Sequence, residues 1–335
     1  MPKGVFIVSV DTELGWGCTS LRDLVRYIPR LKRTRSAISA ILEMCERYQV
    51  SFTWALVGAL LLNHDNTHQK RKIIPAHIPW AVNHHSGNHE VPLDDTYLWY
   101  GRDIVDTIRN CRAAQEIGCH SFFHISYNEK NCSVGAAASD LEHCRMAFEA
   151  LGLAYTTFVF PFNKVGHLTL LPPHGFICYR GAELNTQSRP NFLTPLLRTF
   201  RLLYRLFAGP SAFRPTMKCR ELVNIQASML FRVPEIKSLK VWRIILNLQV
   251  RSAKQGLLKA ARTGKVFHLW FHPYQFGHRT TQMLEALDEI LALAFRLRSG
   301  NKLEVLTMGQ LAQRIIGSDK AARENKRKSS HFFKP

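Results

Sequence analysis

Two histidines stand four residues apart in Glu116-Ile117-Gly118-Cys119-His120-Ser121-Phe122-Phe123-His124, directly after a small-residue turn. A helix opening near His120 would put both imidazoles on one face, one turn apart, where they can converge on a single cation. Neutral imidazole is a common ligand for borderline metals such as Zn²⁺. Taken alone, the spacing fits capping or packing histidines equally well, so its meaning depends on what other stretches bring to the same place.

Three stretches qualify. Val5-Phe6-Ile7-Val8-Ser9-Val10-Asp11-Thr12-Glu13 is an apolar, β-branched run that reads as a buried strand ending in two carboxylates. Side chains alternate along a strand, so Asp11 and Glu13 leave by the same side at its carboxyl end. Phe158-Val159-Phe160-Pro161-Phe162-Asn163 and Phe267-His268-Leu269-Trp270-Phe271-His272-Pro273 are further apolar runs that deliver polar residues at their exits. Carboxylates, a histidine pair and a late histidine at strand ends are what a barrel hydrolase presents on its catalytic face. Singly, Asp11 also suits a helix cap, and His272 a buried histidine bonded to backbone. His268 shares the strand parity of His272 and reads as a packing or supporting group.

In this order, from about Gly4 to Gly309, the chain resembles the polysaccharide deacetylases that share the NodB homology domain. Val8-Ser9-Val10-Asp11-Thr12-Glu13-Leu14-Gly15-Trp16-Gly17 is similar to the family's first motif, in the variant where Asp-x-Glu replaces paired aspartates. His120-Ser121-Phe122-Phe123-His124 matches the second, His-Ser/Thr-x-x-His. Phe160-Pro161-Phe162-Asn163 stands where the third has Arg-x-Pro-Tyr, and Leu269-Trp270-Phe271-His272 looks like the last, Leu-x-Leu-His. Phe52-Thr53-Trp54-Ala55-Leu56-Val57-Gly58 and Leu98-Trp99-Tyr100-Gly101 also look like the sugar-deacetylase members.

The resemblance implies an α/β fold, a distorted (β/α)7-type TIM-like barrel forming a single catalytic domain. It also implies one divalent metal ion, Zn²⁺, held by Glu13, His120 and His124, with the imidazoles rather than Cys119 as ligands. Asp11 is then the general base and His272 the general acid. A backbone N–H near Phe162 helps hold the oxyanion, and Trp16, Trp99 and Tyr100 join it in contacting substrate. The usual second aspartate aligns with Thr12, so Glu13 is expected to reach in its place. Val159 occupies the position of the arginine that normally braces the catalytic aspartate; Lys164 and Arg180 are candidates to replace it, and Glu183 is a candidate acidic partner for His272.

The elements that must position these residues are legible as alternating strand and helix. Leu21 to Arg35 is arginine-rich. Ser36 to Tyr48 places Ala37, Ile38, Ile41, Leu42 and Cys45 at helical spacing, and Val50 to Val57 reads as the next strand. Asp103 to Ala114 reads as a helix with Ile104, Val105, Ile108 and Cys111 inward. Ser139 to Leu151 reads as another, with Ser139 as N-cap and Glu142 closing a capping box. Thr156 to Phe160 and Phe176 to Tyr179 read as short strands, an alternation that favours a barrel over a sandwich. Asn63 to Glu90 carries six histidines at irregular spacings that match no ligand set, and reads as loop.

The chain has 335 residues, 46% of them apolar, enough to bury a large core as one domain. The organisation expected is a barrel over residues 1–318 and a basic tail without structure over 319–335. Val5 to Val10 is too short for a secretory signal, and no stretch has the roughly twenty apolar residues of a membrane span. Cysteines 18, 45, 111, 119, 132, 144, 178 and 219 form no C-x-x-C pair and read as reduced thiols in a cytosol.

Net charge is +20, which calls for an anionic neighbour. Residues 189–262 hold 15 Lys and Arg against Glu221 and Glu235, a net +13. Within them Pro195 to Phe207 reads as a basic amphipathic helix, with Arg198, Arg201 and Arg205 on one face. It either lies on an anionic bilayer or covers the barrel with a solvated arginine face. Nucleic acid is set aside, because no zinc-finger, glycine-rich or aromatic RNA-binding signature accompanies the charge.

The expected activity is metal-dependent removal of an N-acetyl or N-formyl group from an amino sugar of an intracellular glycan precursor, linked to a nucleotide or to a lipid phosphate. The expected place is the cytoplasm, peripherally at the inner membrane face. The alternative is a catalytically silent barrel of the same family that binds glycan, membrane or a partner protein.

Overall fold

The computed structural model describes residues 2–62, 96–183, 209–218 and 222–331. Its first strand, β1 (Gly4–Thr12), is nine residues long and buried throughout. β2 (Thr53–Leu56), β3 (Glu116–Cys119), β4 (Thr157–Val159) and β5 (Cys178–Gly181) follow. They are succeeded by β6 (Thr216–Met217), β7 (Val223–Gln226), β8 (Met229–Leu230), β9 (Val266–Phe271) and β10 (Leu303–Val305). The sheet order is β6-β7-β5-β4-β3-β2-β1-β9-β8, and β10 pairs with the first residues of β1. All pairings between these strands are parallel except β6 with β7.

Closure comes from one stretch of chain. Residues 223–230 pair with β5 through β7 and then with β9 through β8, so the two ends of the sheet share a segment and the sheet curls on itself. With helices packed outside, this is the distorted (β/α) barrel expected from the alternation of elements.

Strand alternation divides the core into two apolar clusters. Phe6, Val8 and Val10 of β1 face the helix layer, together with Ala37, Ile38, Ile41 and Leu42 of the helix Thr34–Tyr48. Val5 and Ile7 belong to the other cluster with Ala55, Val159, Cys178, Val223, Ile225 and Val266. Met308, Leu311 and Ala312, from the start of the last helix (Met308–His331), join this second cluster and close the lower end of the barrel. Each fully buried aliphatic side chain of this kind contributes about 1.5–3 kcal/mol. The next two side chains of β1 with the parity of Val5 and Ile7 are Ser9 and Asp11, so the polar site follows directly on the apolar cluster.

The structure departs from the sequence reading in three places. His120–His124 is not the start of a helix: β3 ends at Cys119, and Ser121 and His124 take positive φ of 66° and 57°. The helix expected from Ser139 runs over Val134–Glu149, capped by Ser133 Oγ, which accepts from Ala136 N at 3.1 Å. The run Ala136-Ala137-Ala138 favours helix and extends it toward the amino terminus, leaving Ser139 inside. In the tail, helix continues over 319–331 where no structure was expected. The histidine-rich loop from Asn63 and the proposed helix Pro195–Phe207 lie outside the described residues. No helix among the described residues is long and apolar enough to cross a membrane.

Candidate active site

The loop after β3 is shaped by one buried carboxylate. Asp140, in the helix Val134–Glu149, accepts from Ser121 Oγ (2.9 Å), Phe122 N (2.9 Å) and Tyr127 Oη (2.8 Å) through Oδ2, and from Phe123 N (3.1 Å) through Oδ1. Ser121 Oγ in turn accepts from Ile125 N at 3.1 Å. On the other side Gly58 N and Ala59 N donate to the carbonyls of Ser121 and Phe122, each at 2.9 Å. These bonds hold the left-handed residues in place, and the two imidazoles meet with ring centroids 4.9 Å apart. The convergence expected of a helix is achieved here by a pinned loop.

Glu13 lies opposite, at the end of β1. Its Oε1 is 3.0 Å from His120 Nε2, 3.0 Å from His124 Nε2 and 3.3 Å from His272 Nε2. A glycine makes room for it: a Cβ on Gly17 would stand 1.9 Å from Glu13 Oε2. Burial disfavours the Glu13 carboxylate. The neighbouring imidazoles, His272 foremost, outweigh that and hold its carboxyl well below the usual range.

The donor set fits a divalent metal. His120 Nδ1 lies 2.7 Å from the Val159 carbonyl oxygen, which accepts only if Nδ1 carries the proton. In the neutral ring, Nε2 then presents a lone pair to the Glu13 oxygen 3.0 Å away, an arrangement that asks for a cation between them. An outer hydrogen bond to the far ring nitrogen is what fixes the tautomer of metal-binding histidines. His124 Nε2 is buried without a hydrogen-bond partner among the described residues, and burial, foremost, lowers the pKa of His124 and keeps it neutral. The ligand atoms of Glu13, His120 and His124 lie within 4.8 Å of one another; Asp11, Glu13 and His272 form a second such group. Cys119 belongs to the apolar cluster under the helices, with Leu141 and Cys144, and takes no part. The seven described cysteines are all free.

Asp11 is gripped from β5. Arg180 Nη1 donates to Asp11 Oδ1 and Nη2 to Oδ2, both at 2.6 Å. Arg180 also donates to Ser9 Oγ (3.0 Å) and Asn163 Oδ1 (3.1 Å), and its guanidinium lies 4.3 Å from the Trp270 ring centre. Of the two candidates for the missing brace, Arg180 is therefore the residue that occupies the role, while Lys164 is exposed. Burial raises the Asp11 pKa, but the Arg180 charge, then His120, the Arg180 hydrogen bonds and His272, bring it below the ordinary value. Beneath, His268 Nδ1 meets the Gln226 carbonyl at 3.1 Å and Nε2 meets Ser9 Oγ at 2.8 Å. With its proton on Nδ1, the ring accepts from the Ser9 hydroxyl, and Ser9 Oγ is left to accept from Arg180. Burial, with the Arg180 charge, takes the His268 pKa down to about 3, so the ring is neutral.

His272 Nε2 faces Asp11 Oδ2 at 3.9 Å as well as Glu13. Burial disfavours the imidazolium, but the Glu13 charge and hydrogen bond and the Asp11 charge outweigh it and raise the pKa. Glu183 accepts from Trp270 Nε1 (3.3 Å) and Leu230 N (3.2 Å), whereas His272 Nδ1 has no hydrogen-bond partner among the described residues. Phe162 is 46% exposed, takes φ 56° and ψ 13°, and sets its ring centroid 4.6 Å from that of His124. Trp16, Trp99 and Tyr100 are buried. Trp16 Nε1 donates to the Trp99 carbonyl at 2.9 Å, and Trp16 also packs on Phe123, whereas the Phe162 ring is open to solvent. Ser9, Asn163 and Asp140 were not singled out in the sequence; only Ser9 carried a signal, its parity with Asp11.

No family model matches the chain, and no curated protein does. Solved structures do. A protein of Mycobacterium smegmatis designated a polysaccharide deacetylase aligns with TM-score 0.57 at 14% identity, over 95% of this chain and 92% of its own. A Pseudomonas aeruginosa PAO1 protein with the same designation aligns with TM-score 0.50 at 12% identity, over 93% and 90%. Puue allantoinase gives the same values. At these identities the likeness is one of fold, and the fold of this chain is that of the NodB-type polysaccharide deacetylases.

Proposed function

We propose that the protein is a metal-dependent hydrolase that removes an N-acyl group, acetyl or formyl, from an amino sugar. The observation that carries the reading is the convergence of Glu13, His120 and His124 on one point, with the braced Asp11 and the charged-prone His272 beside it. A divalent cation such as Zn²⁺, held by Glu13, His120 and His124, would polarise the amide carbonyl and acidify the attacking water.

The chain's own groups supply the proton transfers. Asp11, ionised because Arg180 holds both its oxygens, accepts the proton of the attacking water. His272, whose pKa is raised beside two carboxylates, holds a proton on Nε2 and delivers it to the departing nitrogen. The amide thus becomes a carboxylate and a free amine. The Phe162 N–H, turned by its left-handed backbone at the rim, is assigned to the oxyanion, and the Phe162 ring to the sugar.

The alternative, a silent barrel, draws on the degenerate third motif; the Arg180–Asp11 pair supports the active reading, because it supplies from another position the brace that Val159 lacks. The net charge of +20 supports a phosphate-bearing carrier on the sugar. The test is release of acetate or formate from N-acylated amino sugars. Release should stop on chelation and return with added metal. Full activity in a His120→Ala, His124→Ala double variant sinks the proposal.

A further inference from the structure

The helix Leu239–Thr263 presents an unusual start. Its first turns expose Leu239 and Val241, each 45%, and Ile244, 58%. Lys237, Lys240 and Arg243 are exposed among them, and no ion pair among the described residues engages these three cations. Glu235, the acid two residues before Lys237, is already bound by Arg26 and by Arg30 at 2.6 Å. The helix itself contains no Asp or Glu. Isolated exposed apolar residues are ordinary, but three within six residues, interleaved with unpaired cations, form a surface complementary to an anionic layer with an apolar interior.

Its place in the barrel matters as much as its composition. The helix precedes β9, and in a parallel barrel the amino end of such a helix lies at the carboxyl end of the strands, the side of the site. Side-chain contacts trace the same path. Glu235 is tied to the helix Leu21–Leu31, whose Tyr27 packs on Tyr274 with ring centroids 5.5 Å apart, and Tyr274 lies 5.2 Å from His272. The patch therefore borders the rim of the site.

We infer that Leu239, Val241 and Ile244, with Lys237, Lys240 and Arg243, dock the protein on an anionic bilayer and turn the catalytic mouth toward the headgroup layer. This deepens the proposed function, on which it rests for its meaning: the substrate is an amino sugar whose carrier phosphate is anchored in lipid. The apolar side chains enter the acyl boundary while the cations pair with lipid phosphates, so both are required.

The experiment is cosedimentation of the full chain with phosphatidylcholine vesicles, with and without phosphatidylglycerol, at rising salt. The wild type should partition onto the anionic vesicles alone. A Leu239→Ser, Val241→Ser, Ile244→Ser variant, and separately Lys240→Glu with Arg243→Glu, should each lose at least tenfold in partition. Both should melt as the wild type does and hydrolyse a water-soluble N-acyl amino sugar at its rate. No preference for anionic vesicles overturns the inference. So does anionic binding that the serine variant leaves intact, which would assign a general polyanion attraction, nucleic acid included. Partition is read without catalysis: vesicle binding with no acyl release fails the hydrolase reading alone, and acyl release with no vesicle binding fails the docking surface alone.

Discussion

Arg180 and Asp11 meet fork to fork, each Nη 2.6 Å from its own carboxylate oxygen, in a buried pair contributed by β5 and β1. A bidentate pair fixes orientation as well as charge. It leaves Asp11 ionised and aimed, with Ser9 and Asn163 completing the cage around the guanidinium. Arg180→Lys keeps a cation but loses the fork, so kcat should fall by about a hundredfold or more while KM stays close to wild type. Arg180→Ala strands a buried carboxylate and should destabilise the fold by about 3–5 kcal/mol. A lysine variant with wild-type kcat would show that the brace has no part in the chemistry.

Asp140 touches no reacting group, yet four donors from the histidine loop and Tyr127 end on its two oxygens. Burial, foremost, raises its pKa despite those bonds. Asp140→Asn replaces one acceptor oxygen by a donor that must face another donor, at a cost of about 1–3 kcal/mol for each bond left unmade. The loop should loosen, and the imidazoles with it. Titration calorimetry with Zn²⁺ should show affinity reduced at least tenfold in Asp140→Asn, together with a lower Tm. A lower Tm with unchanged metal affinity would make Asp140 a packing residue only.

What was legible in the chain followed from alternation. The parity of Val5, Ile7, Ser9 and Asp11 put Asp11 on the inner face of β1, with Glu13 just past the strand's end, and β9 delivered His272 at its exit. The loop geometry was not legible, because a spacing of four suits a helix and a pinned loop alike. Positive φ at Ser121 and His124 depends on Asp140, which arrives from a helix later in the chain. The brace was narrowed to two residues but not chosen. Arg180 and Asp11 are 169 residues apart, and their meeting depends on where β5 falls in the closed sheet, which no local pattern encodes. Trp16 and Trp99, read as substrate contacts, meet edge to face with ring centroids 5.2 Å apart, a pairing that no local pattern encodes.

His268 ties stability to pH. Its pKa falls from the ordinary 6.5 to about 3 in the folded protein, chiefly through burial and then through the Arg180 charge. The unfolded chain binds a proton there below pH 6.5 and the folded chain does not. This contribution is thus present in full above 6.5 and is lost as pH falls from 6.5 toward 3, with a slope of up to about 1.4 kcal/mol per pH unit. Urea denaturation between pH 7 and 4 should show the wild type losing stability more steeply than His268→Gln, by close to one proton. Equal slopes would mean that His268 takes up its proton without unfolding.

Phe162 combines an exposed ring with a backbone that disfavours it. A bulky residue at φ 56° and ψ 13° costs about 1–2 kcal/mol relative to a relaxed conformation, and Asn163 follows it at φ 53°. Glycine relieves that cost, whereas alanine retains most of it. If the ring is the platform on which the sugar rests, Phe162→Gly and Phe162→Ala should both raise KM about tenfold. They should separate in stability, the glycine variant melting at or above the wild type and the alanine variant below the glycine one. The N–H assigned to the oxyanion survives both changes, so kcat should hold best in the variant that keeps the left-handed turn. Unchanged KM in both variants would remove the ring from substrate binding while leaving the backbone donor in its role.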